Sequence, residues 1–531
     1  MGTLHFLKLL WCSAHSKDQS CDKSQHSKKM TNEQTFQQVA DHFRETALLE
    51  ATSALLEWDE RTGLPERAGA YRAEQITLLS GMIHRRKTDP RIGEQLEQLA
   101  ASPLATEGPL PVTASIARLL KNFRRNSRLP IGLVEAIAKA TVLGQQAWEK
   151  ARASDSWELF RPHLKAIFGL RRREAELLRE NGSLYDALLD QYEEGAKSEQ
   201  LTQIFANLRD ELVQLVQDLQ ASRHPPSGTS WQRSVPVDRQ RKISHWIAEQ
   251  IGYQFERGRL DETSHPFCTT LGPDDCRILT RYQADYFPSA FYSTLHEAGH
   301  GLYEQGLPTD WYGLPPGTYA SLGVHESQSR LWENFVGRSQ PFWKWAFPQI
   351  ARMSDCWQGL DAQALYRDAN RVEPSLVRVE ADEVTYNLHI LIRFELEQAL
   401  LSGELPVDDA PQAWNERYEH YLGIKPPSHR DGILQDVHWS AGLIGYFPTY
   451  TLGNLYAAQL MEAMQRELGE LDPLIASGQF QPLLSWLRGT IHEHGACYHP
   501  VSLIENACSQ PLDARPLVRY LRGKLTPIYE L

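Results

Sequence analysis

The sequence has no Cys-x-x-Cys pair, no block of Lys or Arg, and no apolar run approaching the ~20 residues of a membrane span. Seven cysteines (Cys12, Cys21, Cys268, Cys276, Cys356, Cys497 and Cys508) are odd in number and scattered. They read as reduced thiols of a cytoplasmic protein rather than as a disulfide framework. A net charge of −12 with the signs well mixed argues against nucleic acid or a membrane surface as partner. No period of roughly 20–50 residues recurs, which excludes a solenoid. At 531 residues the chain is long enough for several domains or for one large helical body.

What the chain does have is Thr294-Leu-His-Glu-Ala-Gly-His-Gly301. His296 and His300 are four apart, so on a helix both imidazoles share a face and can chelate one ion. Glu297 lies beside the first and can reach a metal-held water. This is the H-E-x-x-H pattern of zinc hydrolases, with two ligands and a general base. The pattern is short, so its surroundings must decide. Phe287, Phe291, Tyr292, Leu295, Leu302 and Tyr303 suit a buried helix, and Gly306 followed by Pro308 suits its end. The metzincin extension would need Gly at 303 and His at 306; Tyr303 and Gly306 exclude it. Glu304 is about 12 Å along the helix axis from His296, too far to close the site easily. Glu326, in Val324-His-Glu-Ser-Gln-Ser-Arg-Leu-Trp-Glu-Asn334, is the better third ligand. The intervening residues suffice for the first helix, a Gly/Pro-rich turn and a second helix. Two His and one Glu make a gluzincin-like set.

Residues 1–29 differ from the rest and suggest a disordered or mis-started extension, because neither a basic start nor a small-residue cleavage site is convincing. Thr31-Asn-Glu-Gln34 looks like a capping box. Helical periodicity runs to about Ser222, through Phe36, Val39, Phe43 and Leu48 and again from Leu201 to Leu219. Breaks fall at Gly63-Leu-Pro65, Ser102-Pro103, Gly108-Pro109 and Leu129-Pro130. The part 30–222 reads as a helical scaffold or lid. His224-Pro-Pro-Ser-Gly228 marks a boundary with the metal-site part, 229–531. A helix from Val237 to Gly252 precedes Tyr253–Tyr282, the expected place for a few strands. Further helices are expected at about Gln340–Cys356 and at Glu373–Leu401. The second mixes Arg378, Glu380, Asp382, Glu383, His389 and Arg393 with apolar residues. Such a helix suits either the wall of a polar cavity or a half-solvated ion-paired face, in which Arg378 would meet Asp382 at i+4. Asp431–Ser440 and Gly445–Gly453 read as pocket-forming loop. Ile491-His-Glu-His-Gly495 resembles a ligand motif, but His492 and His494 do not share a helical face and read as structural.

Taken together these stretches make the chain similar to the carboxypeptidase Taq family of metallocarboxypeptidases, from about Gln34 to the C-terminus. His265-Pro-Phe267 resembles the family's H-P-F, His325-Glu-Ser-Gln328 its H-E-S-G/Q, and Gly432-Ile-Leu-Gln-Asp-Val-His-Trp439 its G-x-x-Q-D-x-H-W. Trp58-Asp-Glu-Arg-Thr-Gly-Leu-Pro65 resembles an N-terminal W-D-x-x-T-x-x-P. One motif departs: D-x-R-x-T appears as Asp275-Cys-Arg-Ile-Leu279, with Thr280 one place late. The resemblance implies a mainly α, single helical body with a deep groove and a small β element near the metal site. It also implies zinc or cobalt, often a homodimer, and removal of C-terminal residues from peptides with broad tolerance. The motifs holding His265, Asp275, Gln435 and Asp436 are then expected to bind substrate and close one end of the groove.

Residue chemistry and resemblance meet in one scheme. Zinc on His296, His300 and Glu326 activates water, and Glu297 serves as base. Tyr446 or His438 is the expected oxyanion donor. A free C-terminal carboxylate calls for an Arg fork, with Arg378 first and Arg277 second. The same metal set would also serve an endopeptidase or oligopeptidase. A non-catalytic helical protein with structural zinc fits less well, since structural sites are closed and usually rich in Cys.

Overall fold

The computed structural model describes residues 30–531; the expectation for 1–29 lies outside the described residues. The first helix, α1 (Asn32–Thr62), opens with the expected capping box. Its Thr31 side chain accepts from the Gln34 amide at 3.3 Å, and the Gln34 side chain accepts from the Thr31 amide at 3.0 Å. Phe36 and Val39 are buried in a satellite core with Leu96, Ile116 and Leu314. Leu48, on the same repeat, is instead 65% exposed. α1 ends at the Gly63 break, and of the helices that follow, Pro90–Ala100 and Leu110–Arg128 end at the Ser102-Pro103 and Leu129-Pro130 breaks. Gly69–Lys87, Ile131–Ser154 and Trp157–Leu178 end instead at Thr88, Asp155 and Arg179, which the sequence did not mark.

The main core extends from Ala151 to Tyr529 and draws on both sides of the 224–228 stretch. That stretch is irregular, yet it is tied down: Asp368 accepts from the amides of Gly228 and Ser230, each at 2.8 Å. The helix expected after it spans Val237–Gln250. Three short strands follow, β1 (Gly258–Glu262), β2 (Phe267–Thr270) and β3 (Cys276–Thr280). β3 is central, parallel to β1 and antiparallel to β2. Its buried residues Ile278 and Leu279 join it to helix α2 (Phe287–Gly306), which carries the H-E-x-x-H motif.

α2 is buried on nearly every side, as its aromatic sequence requires. Gly299 lies against the backbone of Gln328 and Ser329, where an added Cβ would come within 2.6 Å. That approach brings helix α3 (Leu322–Arg330) across α2, with Ser321 capping α3 through the Val324 amide at 3.1 Å. α3 runs on into a π-helical stretch, Leu331–Val336, a geometry often found at functional sites.

Two expectations need correction. The stretch Gly445–Gly453, expected as loop, is helical from Pro448 onward, because a proline in the first helical turn has no amide hydrogen to leave unpaired. The helix expected from Glu373 to Leu401 is confined to α4, Thr385–Ser402, and Arg378 sits in a short 3-10 turn, Arg378–Glu380. The periodicity continues upstream, but Pro374 and the side chain of Asp382 stop the helix. Asp382 accepts from the amides of Val384 and Thr385 at 2.9 and 3.0 Å, and from the Thr385 hydroxyl at 2.6 Å. Asp382 is thereby spent on capping and does not pair with Arg378. Helix α5 (Pro448–Leu468) completes the frame by packing along α3.

Candidate active site

Three side chains from two helices converge as the motif requires. Nε2 of His296 and Nε2 of His300, both on α2, lie 3.6 and 3.4 Å from Oε2 of Glu326 on α3. One ligand atom from each falls within 4.8 Å of the others, a spacing that suits a single cation. The donor set also fits chemically. Nδ1 of His296 donates to Oε2 of Glu333 at 2.9 Å, which turns its Nε2 lone pair toward the cluster. The His300 ring has no hydrogen-bond partner at Nδ1 among the described residues and is held by stacking on His325, with centroids 4.3 Å apart. His325 is in turn fixed by Glu304 at 2.9 Å. Glu304 therefore supports the site without entering it.

The charges are arranged to keep the acidic ligand ionised. Burial opposes the charge on Glu326, but Arg330 and His296 hold its carboxyl far below the usual range. Arg330 Nε donates to Glu326 Oε1 at 2.7 Å, while its Nη1 reaches Glu333 at 3.2 Å. Glu333 is held near 2 against burial, by Arg330 and His296. Burial and the neighbouring His325 push His300 down to about 3, so it is a neutral imidazole. Glu297 is different: burial drives its carboxyl up to about 7, only partly countered by His296. A group in that range can both take and release a proton near neutrality.

Next to the cluster lies an aromatic and basic wall. The Arg330 guanidinium stands 4.3 Å over the ring centroid of Tyr386, and the Tyr386 hydroxyl accepts from Arg378 Nη1 at 3.1 Å. A continuous line thus runs from Glu326 through Arg330 and Tyr386 to Arg378. Arg378 is buried and pairs with Asp436, as does Arg393 on α4 at 2.6 Å. Gln435 accepts from the Arg378 amide at 2.9 Å and from Arg393 at 2.8 Å, and donates to Leu376, Tyr418 and Asp431. His438 meets the Tyr450 hydroxyl at 3.2 Å through Nε2; burial and Arg378 lower it to about 3. Tyr446 packs edge-on to Tyr450 and to Tyr192, at 5.4 and 5.2 Å.

The other motif residues gather at the sheet. Asp275 and Arg277 form a two-bond pair at 2.8 and 2.9 Å, with Arg277 4.3 Å over the ring of Trp58 on α1. Arg61 stands 4.9 Å over Phe267, and the Thr263 hydroxyl donates to the Arg61 carbonyl at 3.1 Å. His265 is exposed between β1 and β2. Thr280, the displaced residue of that motif, is buried and bonded to Ser293 and the Ala290 carbonyl. His492 is buried against Gln328 at 2.9 Å, a packing role, as its spacing indicated.

Sequence reasoning did not pick out Glu333, Arg330, Tyr386 or Tyr450. Glu333 and Arg330 did carry a signal, lying seven and four residues after Glu326 on the helical face of the ligand.

Comparison with known proteins agrees with this geometry. The family model described as carboxypeptidase Taq (M32) metallopeptidase matches residues 38–525. Thermostable carboxypeptidase 1 of Thermus thermophilus is 44% identical over 94% of this chain and 100% of its own length. Carboxypeptidase 1 of Bacillus subtilis is 37% identical over 90% of this chain and 95% of its own. The crystal structure of the M32 carboxypeptidase from Deinococcus radiodurans superposes with a TM-score of 0.91 at 38% identity, covering 94% and 100% of the two chains. The chain belongs to the carboxypeptidase Taq (M32) metallopeptidases, a family of peptide hydrolases.

Proposed function

We propose that this protein releases single amino acids from the free C-terminus of peptides with broad side-chain tolerance, using zinc or cobalt held by His296, His300 and Glu326. The observation that carries the reading is the convergence of those three donors beside the buried carboxyl of Glu297. When bound, the ion supplies Lewis acidity, acidifying a coordinated water and polarising the scissile carbonyl. Glu297 takes the proton of the attacking water and hands it to the departing amine. Its carboxyl, near 7 without the ion, is shifted toward the ionised base by a cation beside it.

Arg378 binds the substrate carboxylate, on the far side of Tyr386 from the metal ligands. Asp436 and Gln435 act through it, holding the guanidinium and the backbone of its turn. Tyr446 donates to the oxyanion; the neutral imidazole of His438 orients Tyr450 beside it. The Asp275–Arg277 pair, packed on Trp58, helps close one end of the groove together with the Gln435–Asp436 motif, and His265 contributes to substrate binding. Both Arg277 and Arg378 are paired through Nε and Nη2, with Asp275 and Asp436; what favours Arg378 as the carboxylate site is its link through Tyr386 and Arg330 to Glu326.

No described helix is long and apolar enough to cross a membrane, and Cys268, Cys276, Cys356, Cys497 and Cys508 are free thiols, in keeping with a cytoplasmic setting. A homodimer is the assembly that the family resemblance implies; sedimentation of the full chain tests it.

The test is hydrolysis of a short N-blocked peptide by metal-loaded wild type and by Glu297→Gln. Stepwise release of single residues by the wild type is expected, with kcat falling at least ~10²-fold in the variant while metal is retained. Full turnover by Glu297→Gln would remove the general base from the scheme.

A further inference from the structure

Glu193 is fully buried, and it belongs to the part of the chain that reads as bland scaffold. It lies in the turn between the helices Leu184–Leu189 and Ser198–Ala221. Its two oxygens grip two different elements of the active site. Oε2 accepts from the Gly323 amide, in the first turn of α3, at 3.0 Å. Oε1 accepts from the hydroxyl of Tyr456, on α5, at 2.9 Å. The carbonyl of the preceding residue, Tyr192, accepts from the Leu322 amide at 3.1 Å. These bonds take up backbone donors that a buried helix start would otherwise leave orphaned.

The same two helices meet at the metal ligand. Gly453 of α5 lies so close to α3 that an added Cβ would come within 2.4 Å of Glu326 Cγ. Gly323 precedes Glu326 by three residues, as Gly453 precedes Tyr456, so each pair shares a helical face. The Glu193 clamp therefore sits one turn along the contact in which Glu326 is seated. Gly323 is equally tight, with its Cβ position 2.5 Å from Glu193 Oε2. The clamp has a firm base, because the next residue, Glu194, is paired with Lys121 at 2.8 Å and Arg118 at 2.9 Å.

A buried carboxylate is a costly way to fill space, and an apolar side chain would pack as well. What it provides is an acceptor with two directions. We propose that Glu193 is a positioning residue for the metal centre: by holding the first turn of α3 and the flank of α5 together, it sets where Glu326 meets His296 and His300. This rests on the assignment of those three residues as the metal ligands. Glu193 touches neither ion nor substrate and acts through Glu326.

The test is titration of the metal-free full chain with cobalt(II), reading the visible absorption spectrum and the affinity by chelator competition. Glu193→Ala should weaken cobalt binding by about 10-fold or more and alter the spectrum, as loss of a supporting partner does at metal sites. Glu193→Gln should stay close to wild type, since an amide oxygen can accept from Gly323 while its NH₂ meets the Tyr456 hydroxyl. Tyr456→Phe removes half of the clamp without opening a large cavity, and carries the test if Glu193→Ala does not fold; it too should weaken binding and change the spectrum. Wild-type affinity and spectrum in Glu193→Ala or Tyr456→Phe, with only a lowered melting temperature, would overturn the proposal. A wild-type chain that binds no cobalt would instead overturn the ligand assignment on which it rests.

Discussion

The Arg378 guanidinium donates to a single oxygen of Asp436 twice, from Nε at 3.0 Å and from Nη2 at 2.9 Å. Its Nη1 donates once more, to Tyr386. Of five N–H groups, this leaves one on each terminal nitrogen without a partner among the described residues. Two donors on one guanidinium can meet the two oxygens of a carboxylate.

Arg378→Lys should therefore lower kcat/KM for peptides with a free C-terminus by at least ~10²-fold, because an ammonium keeps the charge but not the fork. Metal affinity should be unchanged. Arg378→Ala should in addition lose about 3 kcal/mol of stability, at the low end for a broken buried pair because Arg393 still neutralises Asp436. Steady-state kinetics beside urea denaturation separates the two effects.

Glu333 holds Nδ1 of His296 without being a ligand. Glu333→Gln should loosen zinc by about 10- to 100-fold, read by chelator competition, with the three ligands intact. An unchanged affinity would show that the edge-on contact with His300 and the burial of α2 suffice to orient His296.

Gly453 admits Glu326 where any side chain would collide with it. Gly453→Ala should cost about 1–3 kcal/mol through overpacking and should lower metal affinity together with stability. Calorimetric melting with and without excess metal measures both.

Glu397 predicts a pH dependence away from the metal. It is fully buried and accepts from Tyr185 at 2.7 Å, Trp439 at 2.9 Å and the Gly445 amide at 3.1 Å. Burial outweighs these donors and raises its pKa from 4.5 to about 7. Between those values the folded chain binds the proton that the unfolded chain has released, so this group's contribution to stability is full below 4.5, falls as pH rises to about 7, and is level above. The loss is on the order of 3 kcal/mol across the window. Urea denaturation of the metal-free chain at pH 5 and pH 8 should show a smaller difference for Glu397→Gln than for wild type.

The convergence of His296, His300 and Glu326 was legible because it obeys local rules. An i,i+4 pair on a buried helix needs no knowledge of the fold, and Glu326 needed only a second helix within reach. The groups that tune the site escaped because their contacts are long-range: His296 meets Glu333 across a helix crossing, and Glu193 meets Gly323 across more than a hundred residues of chain. The segment before Thr385 misled for a different reason. Its apolar and charged residues keep helical spacing, but Asp382 offers the backbone amides a nearer acceptor than the next turn would. Arg378 is buried, on a turn held by Gln435 rather than on a helix.

The most direct measurement is mass-spectrometric digestion of one N-blocked peptide in two forms, free acid and C-terminal amide, by the metal-loaded wild type. The free acid should shorten by one residue at a time from its C-terminus while the amide stays intact. Cleavage of the amide at internal bonds would contradict the account, identifying an endopeptidase and removing Arg378 from its role.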